Sequence, residues 1–546
     1  MSDSLYFTKR LDHLGIVAGT CRQIDLIGQI DALVGPTERT VTVGEAVQAM
    51  VLNALGFGAR ALYLTPDFFQ NKPVDLLIRP GLSASQFNDD SLGDALDRLY
   101  AAGVTEVFAH LAAHACRVVG IETAFYHLDT TAFSLYGDYD TPNQAGDGDP
   151  IQITYGHSKD SRPDLKQAML SLIVTHEHSL PRWMEALSGN SSDKTSFPET
   201  IRAFTDQLAE EAPPFFVVDS ALYAKESLLK LGACQWLTRV PATLTDVQTL
   251  YQEVTLEDMT LIPATQERYL EVGSTYGDVR QRWVLVYAPG RFARQSKTFE
   301  KKKARLLTKA EKAFKKVTGQ AFECEADARA TVERVSSRWS LHQVAYTVSS
   351  RAHYAGRGRP RKGQAPSSTS WHVAGTVVED PAAVERARRP LGKFVLATNE
   401  LSEAALPVER MLPVYRSQAA TVERGFRFLK DPLFYAERFY LKKPERIMAL
   451  LMVMCISLLV YALADRTLQE GMTEGKLIRD RQGRLVGQFS LRRVFQLFEG
   501  LDLLTIITPA GTKRQLLNFH PFHRDILKLF GQHVENIYDM ERGYGM

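Results

Sequence analysis

Residues 121–137, IETAFYHLDTTAFSLYG, decide the fold. The stretch is rich in aromatic and β-branched residues. Phe125, His127, Asp129, Thr131 and Phe133 recur at a period of two, which puts them on one face of an extended strand. Asp129 is the single acid within this apolar and Thr-bearing pattern. An ionised carboxylate taken out of water is costly unless it is hydrogen-bonded, paired or bound to a cation.

Downstream, IQITYG (151–156) and QAMLSLIVTHEH (167–178) read as two further strands, joined by the polar loop HSKDSRPDLK (157–166). The helix pattern FPETIRAFTDQLAEE (197–211) follows. FFVVDSAL (215–222) is apolar up to Asp219, as in a central parallel strand covered on both faces. KESLLKLG then reads as a helix and CQWLTRVP as a strand. Three strands, then helix, strand, helix, strand, is the order of an RNase H-like α/β core with a mixed sheet.

Upstream, Thr42-Val43-Gly44-Glu45 has capping-box spacing and opens an apolar-periodic run. SLGDALDRLYAAG (91–103) and VFAHLAAHACRVVG (107–120) continue the helical pattern. Residues 1–118 are expected to be a helical N-terminal domain for DNA binding or dimerisation. The core is expected over 119–244 and, carrying a further helix, over 393–465. Between them, 245–392 reads as a β-rich basic insertion. It holds the strand-like pieces EVTLEDMTLI, ERYLEVGSTYG, QRWVLVYAPG, SLHQVAYTVSS and HVAGTVVE, and the helix SKTFEKKKARLLTKAEKAFKK. Residues 466–546 are expected to form a small C-terminal subdomain. The fold class is thus α/β: an RNase H-like mixed-sheet catalytic core with a β-rich insertion, plus a helical N-terminal domain.

The 546 residues are 45% hydrophobic and 23% charged, which excludes a disordered chain, and the length calls for several cores. Five Cys without CxxC spacing argue against a disulfide scaffold or a Cys-based zinc site. The N-terminus lacks an apolar signal-peptide core, so a soluble protein of a reducing compartment is expected. Residues 447–464, IMALLMVMCISLLVYALA, carry no charge over 18 positions, the lower edge of a membrane span; a fully buried core helix is the preferred reading. Charge is uneven. Arg291–Lys362 holds 19 Lys+Arg against 6 Asp+Glu, net +13, and the rest of the chain is net −11. Such a segment suits a polyanionic partner or, without one, a solvated helix.

A third acid lies in YRSQAATVERGFRFLKDPLF (415–434). On one continuous helix, Val422, Phe426 and Leu429 form an apolar stripe, and Arg416, Glu423, Arg427 and Lys430 share the opposite face. One carboxylate among three cations suits a site for metal and phosphate together. An i,i+4 ion pair between Glu423 and Arg427 on a surface helix is the plainer alternative. Both strand aspartates likewise have a structural alternative as hydrogen-bonding or ion-paired groups. The His-bearing stretches His176-Glu177-His178 and His520–His523 are read as structural.

The pieces LDTT (128–131), GHSKDSRPDLKQ (156–167), Gly189-Asn190 with Ser192-Asp193, VVDSALY (217–223), and VERGFRFLKDPLF (422–434) followed by LKKPERI stand in order. In this the chain resembles the DDE transposases of bacterial insertion sequences, in the group with a β-rich insertion between the second Asp and the Glu. The resemblance implies a metal-binding triad of Asp129, Asp219 and Glu423, with Lys430 as a further catalytic residue. It implies two Mg²⁺ ions, for which Mn²⁺ can substitute. It implies an enzyme that binds terminal inverted repeats, cleaves the element ends and joins the 3′-OH to target DNA. Its partners would be double-stranded DNA and a second copy in a homodimer on DNA, with no membrane, in the bacterial cytoplasm at the nucleoid. The group's Tyr-(2)-Arg-(3)-Glu-(6)-Lys signature is incomplete: its Tyr position is Arg416 and its Arg position is Ala419. Arg416 and Arg427 are taken as phosphate contacts. Gly356–Lys362 (GRGRPRK) resembles an AT-hook, with Arg357, Arg359, Arg361 and Lys362 as DNA contacts. In the basic helix Lys301, Lys302, Lys303 and Arg305 are expected on DNA phosphates. The rival readings are a non-catalytic DNA-binding protein on this fold and a metal-dependent nuclease without strand transfer.

Overall fold

The computed structural model describes residues 5–58, 62–121, 123–139, 150–158, 162–208, 214–356, 359, 361–432, 441–473, 478–479, 482–487, 489–509 and 511–540. The chain forms two compact units. One comprises Met1–Thr238, Gly277–Val279 and Ser402–Met546; the other comprises Arg239–Tyr276 and Arg280–Leu401.

The first unit opens with strand β1 (Leu5–Arg10), which pairs antiparallel with Asp502–Thr508. Helices follow, among them Val43–Leu55, Asp89–Ala101 and Val104–Val118. Val43–Leu55 starts at the expected capping box: Thr42 accepts from the Glu45 N–H, and the Glu45 carboxylate accepts from the Thr42 N–H. The core sheet is built from β2 (Phe125–Leu135), β3 (Lys166–Thr175), β4 (Pro181–Ser188), β5 (Phe215–Val218) and β6 (Gln235–Arg239), in the order β4-β3-β2-β5-β6. β4, β3 and β2 are antiparallel to one another, and β2, β5 and β6 are parallel. All four residues of β5 are buried, as a doubly covered central strand requires.

One of the expected strands is replaced. IQITYG contributes only an isolated bridge, Thr154 to Gln167, and the third antiparallel strand is β4. β4 starts at Pro181, which an edge strand tolerates, and buries both Trp183 and Met184, so no period-two alternation marks it. The IQITYG segment crosses the sheet margin instead. There Gly156 and Gly189 touch so closely that a Cβ on either would run into the other segment's carbonyls. Buried Gln167 donates from Nε2 to the Gly189 carbonyl at 2.7 Å. The glycines and glutamine of two of the quoted motifs therefore hold a backbone crossing rather than a reactive group.

The helix Pro444–Thr473 is buried on nearly all sides: 83% of its most apolar window lies inside the unit. It packs against helices of the first 118 residues, against β4 and against helix Val422–Leu429. An all-round apolar helix of this kind forms the interior of a large core.

In the second unit, β7 (Thr260–Ile262), β8 (Glu267–Tyr276), β9 (Val279–Tyr287) and the later β12 (Lys393–Thr398) are ordered β12-β9-β8-β7. Most of the expected strand EVTLEDMTLI is non-strand, because helix Thr245–Glu253 ends inside it and only its last three residues pair. β10 (His342–His353) and β11 (Ser368–Glu379) form an antiparallel hairpin twelve pairs long. The basic helix, Pro289–Thr318, and helix Glu325–Ser336 pack on this hairpin through Phe314, Val317, Ala328, Val332 and Val373.

Candidate active site

Asp129 and Asp219 are brought level by strand register. β2 and β5 run parallel with Leu128 opposite Val218, the last pair of the ladder. Each aspartate is the next residue along, at the C-terminal end of β5, where neighbouring strands lie about 4.8 Å apart. Asp129 is partly exposed while Phe125–Leu128 before it and Thr130–Phe133 after it are buried. Each carboxylate accepts a local backbone bond: Thr130 N–H donates to Asp129 Oδ1 and Ala221 N–H to Asp219 Oδ1, both at 2.8 Å. The Asp219 carbonyl accepts from the Thr238 hydroxyl at 2.6 Å. Two carboxylates side by side are hard oxygen donors, the chemistry that suits Mg²⁺.

Glu423 lies on helix Val422–Leu429, whose Val422, Phe426 and Leu429 are buried as the stripe requires. The helix rests on β2 and β3, and Gly425 lets its backbone approach Leu172 and Leu458. The single continuous helix read from sequence is not present. The chain breaks at Thr421 (φ −101°, ψ −91°), so Arg416 ends the preceding helix, Val408–Arg416, and does not share a helical face with Glu423. Both Arg416 and Arg427 are exposed.

Residues 408–430 run beside β2 in a defined register. The Arg410 guanidinium lies 4.7 Å from the Phe125 ring centroid. The Ser417 hydroxyl lies 3.4 Å from His127 Nε2 and 3.0 Å from His176 Nδ1. Lys430 Nζ lies 5.7 Å from the Phe133 ring centroid. Glu423 falls between the last two contacts, alongside the middle of the strand that carries Asp129. Glu423 and the two aspartates do not form a cluster, however: among the described residues no three His, Cys, Asp or Glu side chains are gathered closely enough to hold a metal. The donor types of Asp129 and Asp219 are those a hard divalent cation takes, and Glu423 is exposed on the helix that packs on β2.

The histidine pair was missed by sequence reasoning. His127 is fully buried, and its Nε2 is 3.0 Å from His176 Nδ1. Burial, and then His176, push its pKa down to about 3, so the ring is neutral. Period two already placed His127 on the Asp129 face; its link to Ser417 is tertiary and leaves no sequence signal.

Of the expected DNA contacts, Lys301, Lys302, Arg305, Arg359, Arg361 and Lys362 are exposed. Arg357 lies outside the described residues, as do Gly358 and Pro360 of the same motif. Lys303 is committed internally, with Nζ 3.0 Å from Glu300 and 2.8 Å from Glu379. Further along the helix a cavity of about 480 Å³ is lined by Lys309, Lys312 and Lys316, and by Arg334 and Arg338 across from them. None of these five forms an ion pair among the described residues. The three lysines are spaced i, i+3, i+7 on one face.

A mixed-sheet α/β core with two aspartates level on adjacent parallel strands, just past the last pair of their ladder, is the class that fold and site define together. Residues 138–460, more than half of the chain, match the family described as Transposase DDE domain. The chain belongs to that family: it is a DDE transposase, an enzyme that cuts and joins DNA. The match includes Asp219, Glu423 and Lys430 and begins nine residues after Asp129. Residues 6–113 match a domain of unknown function, DUF4277. No curated protein matches the chain. Among solved structures it is similar to a piggyBac transposase synaptic complex with hairpin DNA, determined by cryo-EM, at 8% identity and a TM-score of 0.38. The likeness covers 96% of this chain and 80% of that one, and is too slight to bear on site or mechanism.

Proposed function

We propose that this transposase binds the terminal inverted repeats of its own insertion sequence, cleaves the element ends and joins each freed 3′-OH to target DNA. The observation that carries this reading is the parallel register of β2 and β5, which sets Asp129, midway along β2, level with Asp219 at the end of β5. Asp129, Asp219 and Glu423 would hold two Mg²⁺ ions, or Mn²⁺ in their place. Such ions supply activation of the attacking oxygen and charge stabilisation at the leaving oxygen of an in-line displacement. Lys430, at the end of the Glu423 helix, and the exposed Arg416 and Arg427 orient the reacting phosphate. The protein's contribution is thus positioning and charge, as phosphoryl transfer requires.

In the second unit the exposed Lys301, Lys302 and Arg305, the cations of the Lys309 cavity, and Arg357, Arg359, Arg361 and Lys362 of the AT-hook-like loop take the DNA backbone. Lys303 is excluded by its two carboxylate partners. Residues 1–118 serve end binding or dimerisation, and the protein works as a homodimer on DNA in the bacterial cytoplasm. The domain division expected from sequence accompanies this reading: core 119–244 and 393–465, insertion 245–392, C-terminal subdomain 466–546.

The test is Asp219→Asn, with DNA carrying the repeats that flank the gene as substrate. Mg²⁺-dependent cuts at the repeat edges should vanish while end binding persists. Loss of binding together with cleavage would count against the assignment. A wild-type protein that binds the repeats without cutting would favour the non-catalytic reading, and cutting without joined products would favour a plain nuclease.

A further inference from the structure

Ser417 occupies a place that neither the acids nor the DNA contacts explain. Its hydroxyl donates to the Val414 carbonyl at 2.7 Å and meets His127 on β2 and His176 just past β3, at 3.4 and 3.0 Å. Its own hydrogen is directed at Val414, so its lone pairs are left to accept an imidazole N–H. His127 Nε2 and His176 Nδ1 are themselves 3.0 Å apart, so one N–H is shared within a three-residue node. Among the described residues His127 Nδ1 is buried without a partner, and the ring's hydrogen bonding is at Nε2. With Nδ1 unsatisfied, the buried ring depends on its Nε2 side, where His176 and Ser417 are the groups that meet it.

From this node a hydrogen-bonded path leads across the break at Thr421 to the Glu423 helix. Thr421 N–H donates to the Ser417 carbonyl at 2.9 Å, and Gly425 N–H donates to the Thr421 carbonyl at 3.2 Å. The Thr421 hydroxyl, itself buried, donates to the Gln418 carbonyl at 3.1 Å. No glycine interrupts residues 417–424. His127 is two residues before Asp129 on the same strand face, so the node ties one end of this path to the strand that carries the first carboxylate.

We propose that Ser417 is a positioning residue: its bond to the His127–His176 pair sets the register of the Glu423 helix along β2, and so sets where the third carboxylate stands relative to Asp129. The proposal rests on Glu423 being a metal ligand.

Two variants separate the two claims. Mn²⁺ affinity is read directly, from the electron paramagnetic resonance signal of the free ion, in wild type, Glu423→Gln, Ser417→Ala and Ser417→Thr, without DNA or turnover. Glu423→Gln should weaken Mn²⁺ binding. Ser417→Ala should weaken it at least fivefold, and Ser417→Thr, which keeps the hydroxyl, should restore it. A purely structural serine would lower thermal stability in Ser417→Ala while leaving Mn²⁺ affinity at the wild-type value, and that result overturns the proposal. Unchanged affinity in Glu423→Gln would instead overturn the assignment of Glu423. Should Ser417→Ala not fold, His176→Gln removes the ring at a half-buried position, and wild-type Mn²⁺ affinity there overturns the proposal equally.

Discussion

Simultaneous replacement of Lys309, Lys312, Lys316, Arg334 and Arg338 by Gln tests whether their cavity grips DNA. The five cations converge on one cavity from the basic helix, from helix Glu325–Ser336 and from the turn after it, and they form no ion pair among the described residues. Along the helix, Lys309 and Lys312 are separated by about 4.5 Å of rise, and Lys312 and Lys316 by about 6 Å. If each cation neutralises one phosphate of a B-form duplex, each contributes about 0.9 to the slope of log K against log salt, so the variant's slope should be shallower by about 4.5. Between 50 and 200 mM NaCl that difference makes wild-type binding fall roughly 500-fold more than the variant's. Fluorescence anisotropy with a labelled duplex carrying the terminal repeats measures both slopes. Lys303→Gln is the internal control, because its ammonium already belongs to Glu300 and Glu379; its slope should match wild type. A quintuple variant with the wild-type slope would show that the cavity faces solvent only. A Lys303→Gln slope as altered as that of the exposed lysines would refute the reasoning from internal pairing.

Gly189→Ala should destabilise the first unit by about 1–3 kcal/mol, since the new methyl meets the Gln167 and Thr154 carbonyls, backbone atoms that cannot rotate away. A lowered urea midpoint with an unchanged m-value would register it, and an unchanged midpoint would dismiss the clash. His13 makes the fold acid-sensitive. It is buried, its Nε2 meets the Leu55 carbonyl at 2.8 Å, it stacks on Phe495, and burial pushes its pKa from 6.5 to about 4. Between those values the unfolded chain takes up a proton that the folded one refuses. Stability should therefore fall by up to about 3 kcal/mol as pH drops from 6.5 to 4, and no further below. His13→Leu should flatten urea midpoints across that window; an unaltered pH dependence would assign the sensitivity to other groups.

Those features of the fold that rest on local pattern were legible in the sequence. Period two on Phe125–Phe133 identified β2, the apolar run before Asp219 identified β5, and Thr42 with Glu45 marked a helix start that the structure reproduces. β4 escaped because burial on both faces erases alternation, and IQITYG was taken for a strand because its composition is that of one, although its neighbours bond it through a glycine crossing. The strand positions of Asp129 and Asp219 were legible because a carboxylate in or just after an apolar strand is anomalous on its own. Arg416 was misplaced on the Glu423 face because nothing in RSQAAT announces the break at Thr421. Lys303 looks like its neighbours in sequence; only the tertiary approach of Glu379 withdraws it.

The buried helix Pro444–Thr473 also bears on the order in which the chain is made. The helices ending at Val118 leave the ribosome more than 300 residues before this helix begins. At 5–20 residues per second that is an interval of roughly 15–65 s, during which the apolar surfaces it will cover have no partner. A gene copy broken anywhere before the codon for Pro444 yields a product that lacks the helix on which the N-terminal helices and β4 pack, so it should be far more open to proteolysis than the intact chain.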